Sequence, residues 1–210
     1  MKKNFLYLVL IFSTFSLTGF AQNQQELTPE ERETIEQRVI EKINDFLSYL
    51  PEIAAKSNKP LEERRLAQKY ITKTLELFIG EGKNYQYQDQ YGEWRWHEAV
   101  KMQTTSRGRV NRPKPMSLYL NSLMALPYQT VQIDTCSAVR ISNKLHSVGN
   151  GKYTGSAVFI QAFRATRDGR LVVNDKDAKQ VTIYVERKEI PTGDVVWIIK
   201  LGDVRITTEW

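Results

Sequence analysis

The chain contains few of the residues that metal and redox sites require. Among its 210 residues there are one cysteine and two histidines, so a structural zinc site of the usual Cys/His kind and an internal disulfide are both excluded. We expect the lone Cys136 to be buried as a small hydrophobic residue, with a reactive or intermolecular thiol as the alternative. The sequence also lacks the G-x-S-x-G, H-E-x-x-H, Walker and Rossmann glycine patterns, which removes the usual support for hydrolase, metalloprotease and nucleotide-binding functions. No metal and no cofactor is expected.

Long apolar runs are also scarce, and the one that exists lies at the start of the chain. Residues 1–21 open with two lysines, continue with an apolar run from Phe5 to Leu17 and end with the small residues Gly19 and Ala21. This pattern predicts a secretory signal peptide cleaved after Ala21. A retained membrane anchor is the alternative, but serines and threonines dilute the apolar run. No cysteine lies at the junction, so we expect a soluble periplasmic or extracellular protein and not a lipoprotein.

The charge balance is too mild to suggest a nucleic-acid partner. The formal net charge is +6, and it falls to +4 when the two lysines of the signal peptide are removed. A nucleic-acid-binding protein would show a clustered basic stripe with interleaved aromatic residues. With 41% hydrophobic and 26% charged residues, the composition is that of a globular domain. We expect residues 22–27 to be flexible and residues 28–210 to form one domain.

Three helices are predicted from capping signals and apolar spacing. Thr28, Pro29 and Glu31 form a capping-box pattern at the start of the first helix, and apolar residues follow at three- and four-residue steps to Leu50. A second helix opens near Pro60 and stops at two glycines, and a short third helix covers 116–126.

Alternating residues predict strands in the remaining segments. A hairpin is expected in 83–104 with a turn near Gly92, and a bulge or bend is expected at Gly202. Further strands are expected around 131–141 and in 153–167, 170–173, 180–188, 195–201 and 204–208. The predicted fold class is α+β, a curved antiparallel sheet of about six strands wrapped around three helices. Segment 153–167 is apolar on both faces, which suggests a homodimer through the sheet face.

This order of elements resembles the nuclear-transport-factor-2-like superfamily of cone-shaped α+β domains. The resemblance rests on FIGEG after the second helix, the hairpin KNYQYQDQYGEWRW, the third helix PMSLYLNSLMALPY and the closing VVWIIKLGDVRI. It implies a concave pocket between sheet and helices. Enzymes of this superfamily, such as ketosteroid isomerase and scytalone dehydratase, carry Asp, Tyr or His inside the cone, but none of those positions aligns with this chain.

Aromatic residues are the candidate ligand-binding groups. Stacked rings with a few polar neighbours would suit a small apolar or sugar-like ligand, and the alternative is that these rings only fill the core. The candidates are Tyr85, Tyr87, Trp94, Trp96, Tyr119, Phe159, Phe163 and Trp197.

Two further sets of residues are weaker candidates. Asp89 and His97 are the one acid and base pair that the hairpin could bring together for proton transfer. Arg107, Arg109, Arg112 and Lys114 place four positive charges in one loop, which could hold an anion or an acidic partner or could simply be solvated.

The sequence therefore predicts an exported, non-enzymatic module that binds a small molecule or another protein. An isomerase- or dehydratase-type enzyme with an acid or base inside the cone is the alternative. A subunit of an envelope assembly is a third class, and it would be favoured by an exposed apolar sheet face.

Overall fold

The computed structural model describes residues 26–88, 93–106 and 108–208. The signal peptide and most of the flexible segment expected at 22–27 lie outside this part of the chain, so both stay predictions. Among the described residues, no helix is long and apolar enough to cross a membrane.

Three α-helices form where capping and apolar spacing predicted them. They are α1 (Pro29–Ile53), α2 (Leu61–Leu77) and α3 (Met116–Met124), and α3 is two residues shorter than expected. The capping box at the start of α1 is confirmed. The Thr28 hydroxyl accepts a hydrogen bond from the Glu31 backbone N–H at 3.2 Å, and the Glu31 carboxylate accepts one from the Thr28 N–H at 3.0 Å. These two bonds satisfy backbone donors that a helix start leaves unpaired.

Eleven strands are present in the described residues. They are β1 (Tyr85–Gln88), β2 (Trp94–His97), β3 (Lys101–Met102), β4 (Thr105–Ser106), β5 (Arg109–Val110), β6 (Lys114–Pro115), β7 (Thr130–Thr135), β8 (Arg140–Gly149), β9 (Lys152–Arg167), β10 (Arg170–Glu189) and β11 (Val195–Ile206). The main sheet has seven strands in the order β6-β3-β11-β10-β9-β7, and β8 also pairs with β9. Strands β1 and β2 form a separate hairpin, and so do β4 and β5.

The α+β class is confirmed, but the purely antiparallel sheet of about six strands is wrong. Strand β3 pairs with β11 in parallel through Met102 and Val204, so the seven-stranded sheet is mixed. The separate pieces expected at 170–173 and 180–188 are one 20-residue strand, β10. The bulge expected at Gly202 is confirmed, since the register shifts between Val181 and Ile183 and leaves two residues of β11 opposite one of β10.

The helices cover one face of the sheet, and their apolar side chains pack there against those of the strands. Phe46 of α1 meets Phe78 edge to face at 5.2 Å between ring centroids, and both rings are fully buried. The same core cluster contains Phe159 of β9, Ile183 of β10 and Leu201 of β11. Each such side chain stabilises the fold by about 1.5–3 kcal/mol through burial.

The other face of the sheet is more polar than the sequence suggested. On it the Ser156 hydroxyl meets Ser142 at 2.8 Å and accepts hydrogen bonds from the amides of Asn143 at 2.7 Å and Gln180 at 3.2 Å. These hydrogen-bonded polar side chains interrupt the apolar face on which the homodimer was expected to form. The homodimer itself stays a prediction.

The expectation that Cys136 is buried is wrong. Cys136 is exposed where the chain passes from β7 to β8. Its backbone N–H donates to the Ile160 carbonyl at 2.8 Å, so the backbone of Cys136 pairs with β9 although the thiol side chain faces solvent.

A groove between the aromatic hairpin and the sheet

The hairpin of β1 and β2 is positioned by the FIGEG segment that follows α2. Phe78 forms a parallel bridge with Leu201, which anchors the start of this segment to the sheet. Gly80 then adopts a φ of +71°, and a Cβ there would lie 2.6 Å from the Tyr85 ring. Glycine is needed because it takes positive φ without strain and leaves room for the ring. The chain can therefore turn sharply and carry the hairpin away from the helices.

The register of the hairpin sorts its aromatic residues onto two faces. Tyr85 lies opposite His97 and Gln86 lies opposite Trp96, so successive residues alternate between the faces. The rings of Tyr85 and His97 stack at 5.1 Å between centroids. Tyr87 meets His97 edge to face at 6.1 Å. The hairpin thus presents a cluster of three rings on the face that carries Tyr85.

Two rows of side chains on the sheet form the floor beneath this hairpin. One row joins Thr154, Tyr184 and Lys200 across β9, β10 and β11. The next row joins Lys152, Glu186 and Ile198 in the same strands. Alternation along the strands places both rows on the face opposite the buried core residues Tyr153, Val185 and Ile199. The floor therefore belongs to the sheet face that the helices leave free.

Hairpin and floor enclose a groove of about 870 Å³, within the range of about 300–1,000 Å³ for small-molecule sites. Its aromatic side is made by Tyr85, Tyr87 and His97, and Trp94 reaches its rim from the other face of the hairpin. The turn between β8 and β9 closes one end. Its lining also includes the charged Lys152 and Glu186. The groove therefore offers ring faces on one wall and hydrogen-bonding groups on the floor.

Two tyrosines face each other across the groove. Tyr85 of the hairpin and Tyr184 of the floor both line it, and each affects the pKa of the other. Burial, followed by the nearby Tyr184, raises the pKa of Tyr85 well above its ordinary value. Burial, followed by the charge of Asp203, raises the pKa of Tyr184. Both hydroxyls are neutral at physiological pH and can serve as hydrogen-bond groups at the base of the groove.

Lys200 ties this part of the sheet to the helices. Its ammonium group donates to the Glu76 carbonyl at 2.6 Å, near the end of α2, and to the Glu81 carboxylate at 3.1 Å. A cation beside the last carbonyls of a helix is favoured by their partial negative charge. The floor of the groove is thereby held in a fixed position relative to α2.

The structure brings three of the eight predicted aromatic residues together and separates the others. Tyr85, Tyr87 and Trp94 line the groove. Trp96 has 73% of its surface exposed and does not line it. The remaining four belong to the core or pack against it: Phe159 is buried, and Tyr119, Phe163 and Trp197 are partly buried.

The proton-transfer pair is not assembled in the described residues. His97 lines the groove but is exposed, and its Nδ1 lies 2.9 Å from the Glu98 carbonyl oxygen. Asp89 lies outside the described residues.

Three groove residues were not predicted from the sequence: Tyr184, Lys152 and Glu186. The signal that could have found two of them is the alternation in QVTIYVERK, where Tyr184 and Glu186 oppose the apolar parity of Val181, Ile183 and Val185.

The basic loop lies apart from the groove. Arg109 in β5, Arg112 and Lys114 in β6 are all exposed and none of them lines the groove. Arg107 lies outside the described residues. The role of these four residues in anion or partner binding stays a prediction.

One buried charge lies on the core side of the sheet, away from the groove. Lys179 is 4% exposed and its ammonium group donates to the Gln161 side-chain carbonyl at 2.7 Å. Burial lowers the pKa of Lys179 to about 8, an effect that Asp177 partly opposes. The other buried polar residues of the described chain are Thr74 and Ser156. None of these four is an acid.

No family model matches this chain, and neither does any curated protein or solved structure.

Proposed function

We propose that this chain is an exported, non-enzymatic binding module that holds a sugar-like ligand in the groove between the hairpin and the sheet. The observation that carries the proposal is that aromatic rings of the hairpin lie opposite polar side chains of the floor. Sugars present C–H faces that stack on aromatic rings and hydroxyl groups that form hydrogen bonds. A ligand with hydroxyl groups can form hydrogen bonds with Lys152 and Glu186 of the floor, which an entirely apolar ligand cannot.

The position of each group supports this ligand class. Trp94 has 67% of its surface exposed at the rim of the groove, where a ring can stack on an incoming ligand without displacing protein contacts. Lys152 and Glu186 lie directly opposite each other on the floor, so they offer a donor and an acceptor side by side. Tyr85 and Tyr184 add neutral hydroxyls nearby.

The absence of catalysis is part of the same proposal. Enzymes of the isomerase or dehydratase type use an acid or base in a dry cleft, whereas His97 is exposed and the buried polar residues described here include no acid. A catalytic pair of Asp89 and His97 stays a prediction.

The cone shape of the nuclear-transport-factor-2-like superfamily is likewise a proposal, supported by three helices on one face of a long-stranded sheet.

The function is tested by comparing glycan binding by the unmodified protein with binding by two tryptophan variants. The secreted protein is screened on an array of oligosaccharides, and the affinity of any glycan bound is measured by calorimetry. Trp94→Ala should weaken binding about 3- to 10-fold, since a stacked ring contributes about 0.5–1.5 kcal/mol. Trp96→Ala is the matched control, because it lies on the same hairpin but does not line the groove.

Three results would overturn this proposal. They are equal loss of affinity in both variants, no binding to any glycan, and native mass spectrometry in which only an apolar molecule co-purifies with the protein.

A further inference from the structure

Lys179 and Gln161 meet on the core side of the sheet, at diagonal positions of β10 and β9. In the register of these two strands, Phe159 lies opposite Lys179 and Asp177 lies opposite Gln161. Lys179 is 4% exposed and Gln161 is 5% exposed. The Lys179 Nζ lies 2.7 Å from the Gln161 Oε1. Because a C=O bond is about 1.2 Å long, Nζ lies within about 4 Å of the carbonyl carbon Cδ. An amine is thus held beside a carboxamide carbon in a buried site.

The amide nitrogen of Gln161 is left without a partner. Its Nε2 is buried, and no hydrogen-bond acceptor in the part of the chain that the structure describes reaches it. The reverse orientation of the amide would set its N–H groups against the Lys179 ammonium, so the contact with Lys179 fixes Oε1 on that side. A buried N–H without an acceptor and a buried cation each destabilise a folded state. Loss of the amide nitrogen and neutralisation of the lysine would remove both unfavourable groups.

The surroundings favour the neutral amine that an attack on Cδ requires. Phe159 of β9 and Ile206 of β11 flank Lys179 and carry no charge. Burial lowers the pKa of Lys179 to about 8, an effect that the charge of Asp177 partly opposes. Asp177 shares the face of Lys179 on β10, and the Thr105 hydroxyl lies 2.8 and 2.7 Å from its two carboxylate oxygens. A carboxylate is therefore held near the amine and the amide, where it can carry protons between them.

We propose that the Lys179 side chain forms an amide bond with the Gln161 side chain, releases ammonia and thereby links β10 to β9 covalently. The lone pair of Nζ forms a bond to Cδ, and the C=O electrons move to Oε1. Asp177 takes one proton from Nζ and passes it to Nε2. The C=O bond then forms again, the Cδ–Nε2 bond breaks, and ammonia leaves with that proton.

The step is balanced by groups that the chain itself supplies. One amine and one carboxamide give one secondary amide and one ammonia, with no oxidant or reductant. The fold holds the two reacting groups together, and such fixed proximity accelerates a reaction without a separate enzyme. The bond lies on the core side of the sheet, so this inference goes beyond the groove and its glycan.

The mass of the protein and a tryptic digest test this bond. The secreted protein is kept at about pH 9 for several days, where most of the Lys179 amine is neutral. Its mass should fall by about 17 Da, the mass of one ammonia. Trypsin cleaves after lysine and arginine but not after a linked lysine. The digest should therefore contain residues 153–164 joined to residues 177–187, with no cleavage after Lys179.

The rate of linkage should follow the fraction of neutral amine. With a pKa of about 8, about one Lys179 side chain in a hundred is neutral at about pH 6, so the bond should form roughly 100-fold more slowly there than at about pH 9. Protein kept at the lower pH therefore retains the free amine, and its unfolding still depends on the titration of Lys179. Equal rates at the two pH values would contradict attack by the neutral amine.

Three variants separate this bond from other losses of ammonia. Cyclisation of an N-terminal Gln22, or of Asn150 before its glycine, loses the same mass but needs neither Lys179 nor Gln161. Lys179→Met removes the attacking amine, and Gln161→Glu offers an unreactive carboxylate that pairs with the lysine. Neither variant should form the link. Lys176→Met is the matched control, because Lys176 is an exposed lysine on the same strand, and it should lose ammonia as the unmodified protein does.

Two results would overturn the inference. One is a digest of the unmodified protein, after incubation at the higher pH, in which cleavage after Lys179 is complete and no linked pair of peptides is present. The other is a loss of ammonia in K179M and Q161E as large as that in K176M. The first result is read from the unmodified chain, so it is decisive even where a variant fails to fold.

Discussion

Replacing the buried Lys179 with methionine should change how stability depends on pH. Lys179 is 4% exposed, and burial lowers its pKa from 10.5 to about 8. In the unfolded chain the side chain returns to water and to its ordinary pKa. Between these two pKa values the unfolded state binds more protons than the folded state, so the free energy of unfolding rises with pH.

The size of the effect follows from the two pKa values. A shift of one pKa unit corresponds to about 1.4 kcal/mol. Below pH 8 the buried cation therefore destabilises the fold by about 3 kcal/mol, and from about pH 7 to about pH 10 the stability recovers by about 2–3 kcal/mol. Lys179→Met removes the titrating group, so this recovery should disappear. It also leaves the Gln161 side chain without its partner, which costs about 1–3 kcal/mol at every pH.

Guanidinium denaturation followed by tryptophan fluorescence at about pH 7 and pH 10 measures the difference. Lys176→Met is the matched control, because Lys176 is an exposed lysine on the same strand. K176M should keep the pH dependence of the unmodified protein and K179M should lose it. The reasoning is refuted if K179M gains as much stability between the two pH values as K176M does.

Four further predictions concern packing, capping and processing. Thr28→Ala should lower the free energy of unfolding by about 1 kcal/mol, because the capping box with Glu31 is lost, and urea denaturation measures it. Gly155→Ala should cost about 1–3 kcal/mol in the same assay, since the new Cβ would lie 2.8 Å from the Asn143 carbonyl oxygen. Phe46→Ala should cost about 3–5 kcal/mol by leaving a cavity against its neighbouring ring; a loss below 1 kcal/mol would contradict the packing described here. Export should remove residues 1–21, so N-terminal sequencing of the secreted protein should begin at Gln22.

The helices could be predicted because their signals are local. A capping box and apolar residues at three- and four-residue steps lie within one segment of chain and need no distant partner. The boundaries of α1 and α2 accordingly match the expected ones closely.

The long hairpin of β9 and β10 was only partly predictable, because distant pairing overrides a local signal. The segment NDKDAK, residues 174–179, is polar and reads as a loop. In the structure it is a strand, since Asp175 pairs with Phe163 and its neighbours continue the ladder. The turn at Asp168 and Gly169, with φ of +52° and +71°, sets that register. Likewise, nothing local signals the parallel contact between Met102 and Val204, which lie far apart in the chain.

The candidate groove was predictable on one wall and not on the other. The aromatic hairpin could be predicted from its composition and from the alternation of its residues. The alternation in QVTIYVERK sets Tyr184 and Glu186 opposite the apolar residues of their strand. That the hairpin lies over this face depends on long-range packing, which no local pattern signals. The same fact explains why Phe159, expected in a pocket, is a core residue.

The most direct test of the central claim is a map of where a ligand binds. The best glycan from the array is titrated into isotope-labelled protein, and chemical shifts are followed by nuclear magnetic resonance. Changes concentrated at Tyr85, Trp94 and Tyr184 are the expected result. Changes centred on Phe159 and Phe46 instead would place the ligand among the helices and contradict a binding groove on the free face of the sheet.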